Sequence, residues 1–485
     1  MPLRAVTWVL AALALTGCAI GTPPDAVEVR GQALPNTAVP GRYVAAGGSL
    51  DRGVSDNWLT SFNDPRLEAL VREALVYNTD LRIAAARVEQ AAGFAKAAGA
   101  AIYPTVNALA RGGGKLGGDT SGLSGVGLFA NWEIDIWGRA RAAREAGRFQ
   151  YLSTEADAEF ARQSIAASVA KSWFLAIEAR QQLALAEEIV RSSEQTVGLA
   201  GDRLKVGKGD EYDVTLAEAN QETFRDASRQ LSLGLEQALR ALEILIGRYP
   251  AAALELPNAL PPMPGPVPVG LPSELLERRP DVIAAERRVA AAFYRVHEAK
   301  AARLPKIALT AGVTSISSEL FVLQSHSNPV ASIGANILAP IFSGFALEGQ
   351  VDVRTAEQKI AIADYGRIGA RAFNDVESAL SAGFAADERE VILQRAVTSN
   401  GRTLELAQVR FRVGSGDLRA VLQQNIALYS SRTALLRMQS ERRVQRVNLH
   451  LALGGSFDNR PVTEPSKTGE NAAPAFAQSA PTKDK

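Results

Sequence analysis

The stretch RLKVGKGDEYDV, residues 203–214, has a near-copy in RFRVGSGDLRAV, residues 410–421. Both interrupt long helical patterns, and both do so with a Val-Gly-x-Gly-Asp run. Val206, Gly207, Gly209 and Asp210 make the first run; Val413, Gly414, Gly416 and Asp417 make the second. Glycine tolerates positive φ and can end one helix, while an acidic residue just beyond suits the positive N-terminal end of the next. The pair therefore reads as two matched helix turns, and it divides the chain into two halves.

The register of this match, an offset of 207 residues, holds on to Val214/Val421, Leu242/Leu449 and Gly247/Gly454. Upstream the offset is 201, aligning Asn78–Leu81 with Arg279–Val282, Arg87-Val88 with Arg288-Val289, and Pro104 with Pro305. Ile136-Trp137 aligns with Ile341-Phe342 at an offset of 205. The offset drifts in glycine-rich parts and stays fixed along helical parts, as expected when insertions fall in loops of an internal repeat.

Each half has one order: a helix, two extended segments, a very long helix, a glycine turn and another helix. The first helix is expected to begin at Asp64-Pro65, with Pro65 in its first turn. Leu67, Leu70, Val71, Ala74, Leu75, Asn78, Leu81, Ala85, Val88, Ala92 and Ala95 then form one amphipathic stripe ending before Tyr103-Pro104. The long helices are expected over 139–205 and 346–408, and ~65 residues at 1.5 Å rise make about 100 Å. By itself that pattern fits a long coiled coil.

Composition narrows the function. The 485 residues carry 53 Lys+Arg against 52 Asp+Glu, a net charge of +1 that gives no support to nucleic-acid binding. The 3 His, His297, His326 and His450, stand far apart with no motif around them, so neither a catalytic site nor a metal site is expected. The 1 Cys, Cys18, closes MPLRAVTWVLAALALTGC, where Arg4 supplies a charged start and 5–15 an apolar core too short to span a bilayer. Leu15-Thr-Gly-Cys18 resembles a bacterial lipobox, whose cysteine receives a diacylglycerol and an acyl chain; the rival is a plain secretory signal in which Cys18 is incidental. No later run approaches the ~20 apolar residues of a membrane helix, so a mature protein crossing a membrane must do so as a closed β-barrel.

The extended segments are expected at 106–111, 128–136, 307–313 and 333–341, with turn signals at 112–114, 117–118 and 325–328. In 128–136, Trp132, Ile134 and Ile136 fall on one face and Glu133 and Asp135 on the other. That alternation fits a soluble strand as well as a membrane one. Four strands cannot close a barrel, which takes at least about eight. Either they form a soluble layer or several copies pool them, and three copies would make 12; a lipid anchor at Cys18 favours pooling.

Trp58 with Phe62-Asn-Asp-Pro65, Asn78-Thr-Asp-Leu81, Ala86-Arg-Val88, Trp132–Gly138, Leu275–Asp281 and the two glycine turns, in this order and at duplicated spacing, resemble the TolC-type outer-membrane efflux ducts. The resemblance runs from Cys18 to about Gly455 and is to the lipoprotein branch that includes OprM and NodT. It implies a mainly α fold with membrane β structure: an internally duplicated chain, four strands per subunit in a trimeric 12-stranded β-barrel, continued by a long periplasmic α-helical barrel. It implies a homotrimer in outer-membrane lipids. Its partners would be a periplasmic adaptor protein and an inner-membrane pump of RND type, and its task the passive conduction of small molecules to the exterior. By family analogy, Ala19 after Cys18 favours the outer over the inner membrane.

The segments expected on this reading are a signal peptide 1–17, a lipidated extended tether 18–62, a first repeat 63–248, a Pro-rich linker 249–271, a second repeat 272–455 and a disordered tail 456–485. The glycine turns, with Val206, Gly207, Gly209, Val413, Gly414 and Gly416, become adaptor-docking tips, against the reading that they are only good turns. Asp213 matches an acidic position at the periplasmic constriction in relatives, joined near the turns by Asp210 and Asp417; helix-dipole stabilisation alone is the rival. The second half departs from the family's two-aspartate pattern, carrying Ala420 and Gln423 where acidic residues would stand. Rival functions are a duct for metal ions or for type I protein secretion, and a pore-less lipid-anchored periplasmic coiled-coil scaffold.

Overall fold

The computed structural model describes residues 21–46, 54, 56–111, 123–318 and 330–458. Cys18, the signal peptide and the turn signals at 112–118 and 325–328 lie outside the described residues. The elements in order are α1 (Ala26–Ala33), α2 (Pro65–Tyr77), α3 (Thr79–Ala100), β1 (Thr105–Arg111), β2 (Leu123–Ile134), α4 (Arg139–Lys205), α5 (Glu211–Leu245), α6 (Pro272–Arg278), α7 (Pro280–Ala301), β3 (Lys306–Ser318), β4 (Val330–Leu338), α8 (Ala346–Arg412) and α9 (Leu418–Ala452). The duplication is complete: both long helices have 67 residues, and both helices after the turns have 35. At 1.5 Å per residue α4 and α8 are each about 100 Å long. Helix α8 continues past the expected end at Gln408 to Arg412, which makes the two copies equal.

Each long helix is flanked by two shorter ones in series. Helix α4 packs along α3 toward the sheet and along α5 toward the turn, and α8 does the same with α7 and α9. The joints between the serial helices explain two sequence signals. The single stripe expected from Leu67 through Ala95 is broken at one of its own members, Asn78, which is extended (φ −62°, ψ 129°) and separates α2 from α3. Asn78 Nδ2 donates to Leu245 O at 2.8 Å while its Oδ1 accepts from Leu81 N at 3.1 Å. One amide thus satisfies an orphan carbonyl ending α5 and an orphan amide starting α3. In the second half Arg279 stands at the matching position and donates to Ala452 O at 3.4 Å, ending α9, while gripping Asp281 and Asp375. Gly247 and Gly454, at φ +80° and +67°, close these joints. A Cβ on Gly247 would lie 2.7 Å from Tyr77 O, so no other residue fits.

A belt surrounds the middle of the helices. Trp173 and Phe174 of α4 are buried against Phe62, Leu67 and Leu242, and Trp173 Nε1 donates to Asp64 Oδ2 at 2.8 Å. The other oxygen of Asp64 caps α2 through Arg66 N and Leu67 N, so the Phe62–Pro65 stretch ties helix start to core. A second core gathers Val29, Val267, Val269, Leu276, Val282, Tyr365 and Val376. The linker lies across the belt, with Arg443 Nε donating to Pro261 O at 2.8 Å.

Three expectations are corrected here. Residues 18–62 are not simply an extended tether: α1 is capped by Asp25, Val29 is buried, and the Glu377 carboxylate accepts from Val44 N and Ala45 N at 2.8 Å each. A helix of 8 residues gains little from its own propensity and is held by what it docks on, which local periodicity does not register. The tail begins later than 456, because Ser456 and Phe457 are buried and Ser456 O accepts from Asn57 N at 2.7 Å. Strand β2 stops at Ile134 rather than Ile136, since Glu133 and Asp135 turn the corner into α4. Glu133 forms a two-bond ion pair with Arg139, and Asp135 accepts from the amides of Ala140 and Arg141.

Candidate functional site

The four strands form one antiparallel sheet in chain order, β1-β2-β3-β4, so β1 and β4 are free edges among the described residues. Register decides what its faces present, because directly paired residues share a face. Val106 pairs with Ala130, Ala130 with Ala311, and Ala311 with Ile333. Ala108, Leu128, Val313 and Ala331 form a second row on the same face, and Trp132, Leu309 and Ala335 a third, followed by Ile134, Ile307 and Ile337. Over these four rows the face is apolar; beyond them the register adds serines, at Ser315 opposite Val126 and at Ser124 opposite Ser317. The opposite face carries Asn107, Asn131, Glu133, Thr310, Thr314, Ser332 and Asn336 among glycines and a few apolar residues. Exposed Ile333 and Ile337 on β4 leave apolar surface facing outward from the chain. Among the described residues no helix is long and apolar enough to cross a membrane.

At the far end of the long helices the two glycine turns sit side by side. In the first, Lys208 N donates to Arg203 O at 2.9 Å and Gly207 N to Leu204 O at 3.0 Å, with Gly207 at φ +70°. In the second, Ser415 N donates to Arg410 O at 2.9 Å and Gly414 N to Phe411 O at 3.1 Å, with Gly414 at φ +80°. Both are Schellman closures, the backbone reason for Gly207 and Gly414. Gly209 and Gly416 pack closely on the preceding helix, where a Cβ would fall 3.2 and 3.0 Å from the Arg203 and Arg410 side chains. Val206 and Val413 contribute nothing to a core: they are 67% and 73% exposed at the very tip.

The acidic residues divide by role. Asp210 Oδ1 accepts from Asp213 N at 2.8 Å, and Asp417 Oδ1 accepts from Arg419 N at 3.0 Å, so each caps the helix it precedes. The Asp213 side chain forms no hydrogen bond or ion pair among the described residues. Partial burial, then the charges of Asp210 and Asp417, hold its carboxyl above the usual aspartate range, while Arg203 and Arg419 pull it the other way. The structure thus brings Asp210, Asp213 and Asp417 to one seam between the turns.

What holds that seam was missed in the sequence. Arg203 Nη1 donates to Phe411 O at 2.7 Å, and its guanidinium lies 4.4 Å from the Phe411 ring centre. Across the seam Arg419 Nη2 donates to Tyr212 OH at 3.3 Å and stands 5.6 Å over that ring. Ala200, Ala217, Leu418, Val421 and Leu422 pack beneath. The only signal was the breakdown of the repeat itself: Phe411 replaces Leu204, and Arg419 replaces Tyr212.

A sheet with an apolar face and free edges, continued by helices about 100 Å long that end in paired glycine turns, defines a mainly α-helical channel-forming protein of the outer membrane. The outer membrane efflux protein family matches residues 70–248 and 271–455, and the chain belongs to that family. Its sequence is 30% identical over 455 residues to the cation efflux system protein CusC of Escherichia coli K12, covering 92% of this chain and 97% of that protein. It is 31% identical over 483 residues to the pyoverdine export outer membrane protein OpmQ of Pseudomonas aeruginosa, covering 95% and 98%. The solved structure of the outer-membrane channel OprN matches with a TM-score of 0.80 at 26% identity, over 91% of this chain and 99% of that one. The chain is accordingly an efflux channel of the outer membrane, not an enzyme.

Proposed function

We propose that three copies of this chain pool their sheets into a 12-stranded barrel and their helices into a periplasmic tunnel. The observation that carries this reading is the sheet itself: one face apolar in four successive rows, the other rich in Asn, Thr and Ser, and both edges unpaired among the described residues. A lipid-exposed sheet tolerates no open edge, so the edges must be closed by further copies. The apolar face then meets lipid and the polar face lines the pore. Exposed Ile360, Phe384 and Val391 along α8 supply apolar contacts for the neighbouring copy's helices.

Cys18, in its lipobox-like context, would carry the lipid that anchors the chain to the outer membrane; a relative from Salmonella typhimurium, 28% identical over 439 residues, is named a probable outer membrane lipoprotein.

At the other end, Val206 with Gly207 and Gly209, and Val413 with Gly414 and Gly416, form six exposed tips in a trimer. They are suited to docking an adaptor protein joined to an inner-membrane pump of RND type. Asp213, with Asp210 and Asp417 behind it, sets the charge of the constriction there. The cargo is small molecules passing outward; relatives named for cation efflux and for pyoverdine export mark the range. Heat-resistant trimers from outer membranes that conduct in planar bilayers are the expected result. A monomer released by high salt and without conductance would overturn the reading in favour of a pore-less scaffold.

A further inference from the structure

A cavity of about 590 Å³ lies between α4 and α8, over the joint where α9 ends and α7 begins. Its direction can be read from α9. Arg443 and Arg446 of that helix donate to linker carbonyls and His450 stacks on Trp58, which marks the belt side. Gln445, Asn448 and Ala452, which line the cavity, fall on the opposite side at 100° per residue. The cavity therefore opens away from the belt. If the duct proposed above is correct, on which this inference rests, that side is the lumen.

Its charges balance in sum but not in pairing: Arg279 with Asp281 and Asp375 leaves one net negative charge, and Arg371 one positive. Asp281 and Asp375 are both held by Arg279, at 2.8 and 3.0 Å, and Arg279 is only 4% exposed because it locks the helix joint. Asp157 is paired with Arg288, and Arg367 with Asp364 at 3.0 Å outside the lining. Arg371 remains, at the cavity wall, with no hydrogen bond or ion pair among the described residues. Phe160, Ile368 and Leu451 provide apolar surface beside it. A guanidinium presents a planar fork that matches a carboxylate with two parallel bonds. A site of this volume with apolar lining and one exposed, unpaired guanidinium suits a small molecule that carries both an apolar ring and a carboxylate.

We propose that this cavity is a recognition station on the duct wall for amphiphilic organic anions, with Arg371 as the group that receives the carboxylate. The station would favour such cargo over cations midway along the tunnel, a charge preference separate from that of the Asp213 constriction.

The test uses the full-length trimer in lipid nanodiscs, with empty nanodiscs as the blank, titrated calorimetrically with 1-naphthoate and with 1-naphthylmethylammonium. The two probes share a ring and differ in charge. Naphthoate is expected to bind, the ammonium probe to bind at least tenfold more weakly, and Arg371→Gln to weaken naphthoate at least tenfold. Arg371→Lys should fall between, because it keeps the charge and loses the fork, while Arg410→Gln at the exposed turn should bind as the parent does. No naphthoate binding, equal binding of both probes, or Arg371→Gln binding like the parent would each overturn the proposal. Bilayer conductance of the unaltered protein tests the duct separately, so the two failures are distinguishable.

Discussion

Removing the Arg203 side chain should loosen the tip and nothing else. Arg203→Ala deletes a charged hydrogen bond to Phe411 O and a guanidinium stacked 4.4 Å from the Phe411 ring. A hydrogen bond from a charged group contributes about 1.5–3 kcal/mol and a half-exposed cation–π contact about 0.5–1 kcal/mol. Together they hold the seam by roughly 2–4 kcal/mol, and since 1.4 kcal/mol is tenfold, opening should rise by between one and three orders of magnitude. Native-state hydrogen exchange reads this directly, because local opening sets amide protection. Amides of 197–222 and 404–425 should lose protection by that factor, while those around buried Trp173 keep theirs. Arg203→Lys, which keeps charge but not the fork, should lose less. Unchanged tip protection, or a loss shared equally by the Trp173 region, would refute the assignment of Arg203 as the seam's fastener.

Other consequences follow from burial, backbone and register. His450 is buried against Trp58, and burial, then Arg446, pushes its pKa down to about 3. A histidine with a depressed native pKa costs stability as pH falls below its ordinary value of ~6.5, by about 2 kcal/mol at pH 5. Melting of the detergent-solubilised protein should therefore drop between pH 7.5 and 5, and His450→Phe should flatten that drop; parallel curves would refute it. Gly207→Ala meets open space and should cost only about 1 kcal/mol for its positive φ, whereas Gly247→Ala also drives a Cβ to 2.7 Å from Tyr77 O. Denaturant midpoints should separate the two clearly, and equal losses would contradict the joint geometry. Ile333→Lys on the apolar face should reduce outer-membrane assembly, by about 2–4 kcal/mol if near the bilayer centre, while Thr310→Lys on the polar face should assemble normally. Asp213→Ala should lower cation preference or raise resting conductance in single channels; unchanged behaviour would leave it a helix-dipole residue only.

Much of this was legible because it is local. The glycine turns are backbone requirements, so Gly207 and Gly414 announced themselves, and the helices they end kept their register over 67 residues each. The joints were half legible: Asn78 and Arg279 aligned in the repeat, as did Gly247 and Gly454, but nothing local said that each pair meets end to end. The 26–33 helix and buried Phe457 were invisible, because neither has enough residues to carry a period and both depend on the belt.

The sequence by itself determined the duplication, the long helices and the places where they turn, since periodicity and positive φ are properties of a few neighbouring residues. Only the tertiary structure decided what the strands are for. WEIDI alternates as a soluble strand would, and its meaning changed when Trp132 was paired with Leu309 and Leu309 with Ala335. A continuous apolar face is made by residues about 200 positions apart, and register, not composition, brings them into one surface. The seam has the same origin: Arg203 acquires its role from Phe411, on the other copy of the repeat, through a contact that exists only when the two turns lie side by side.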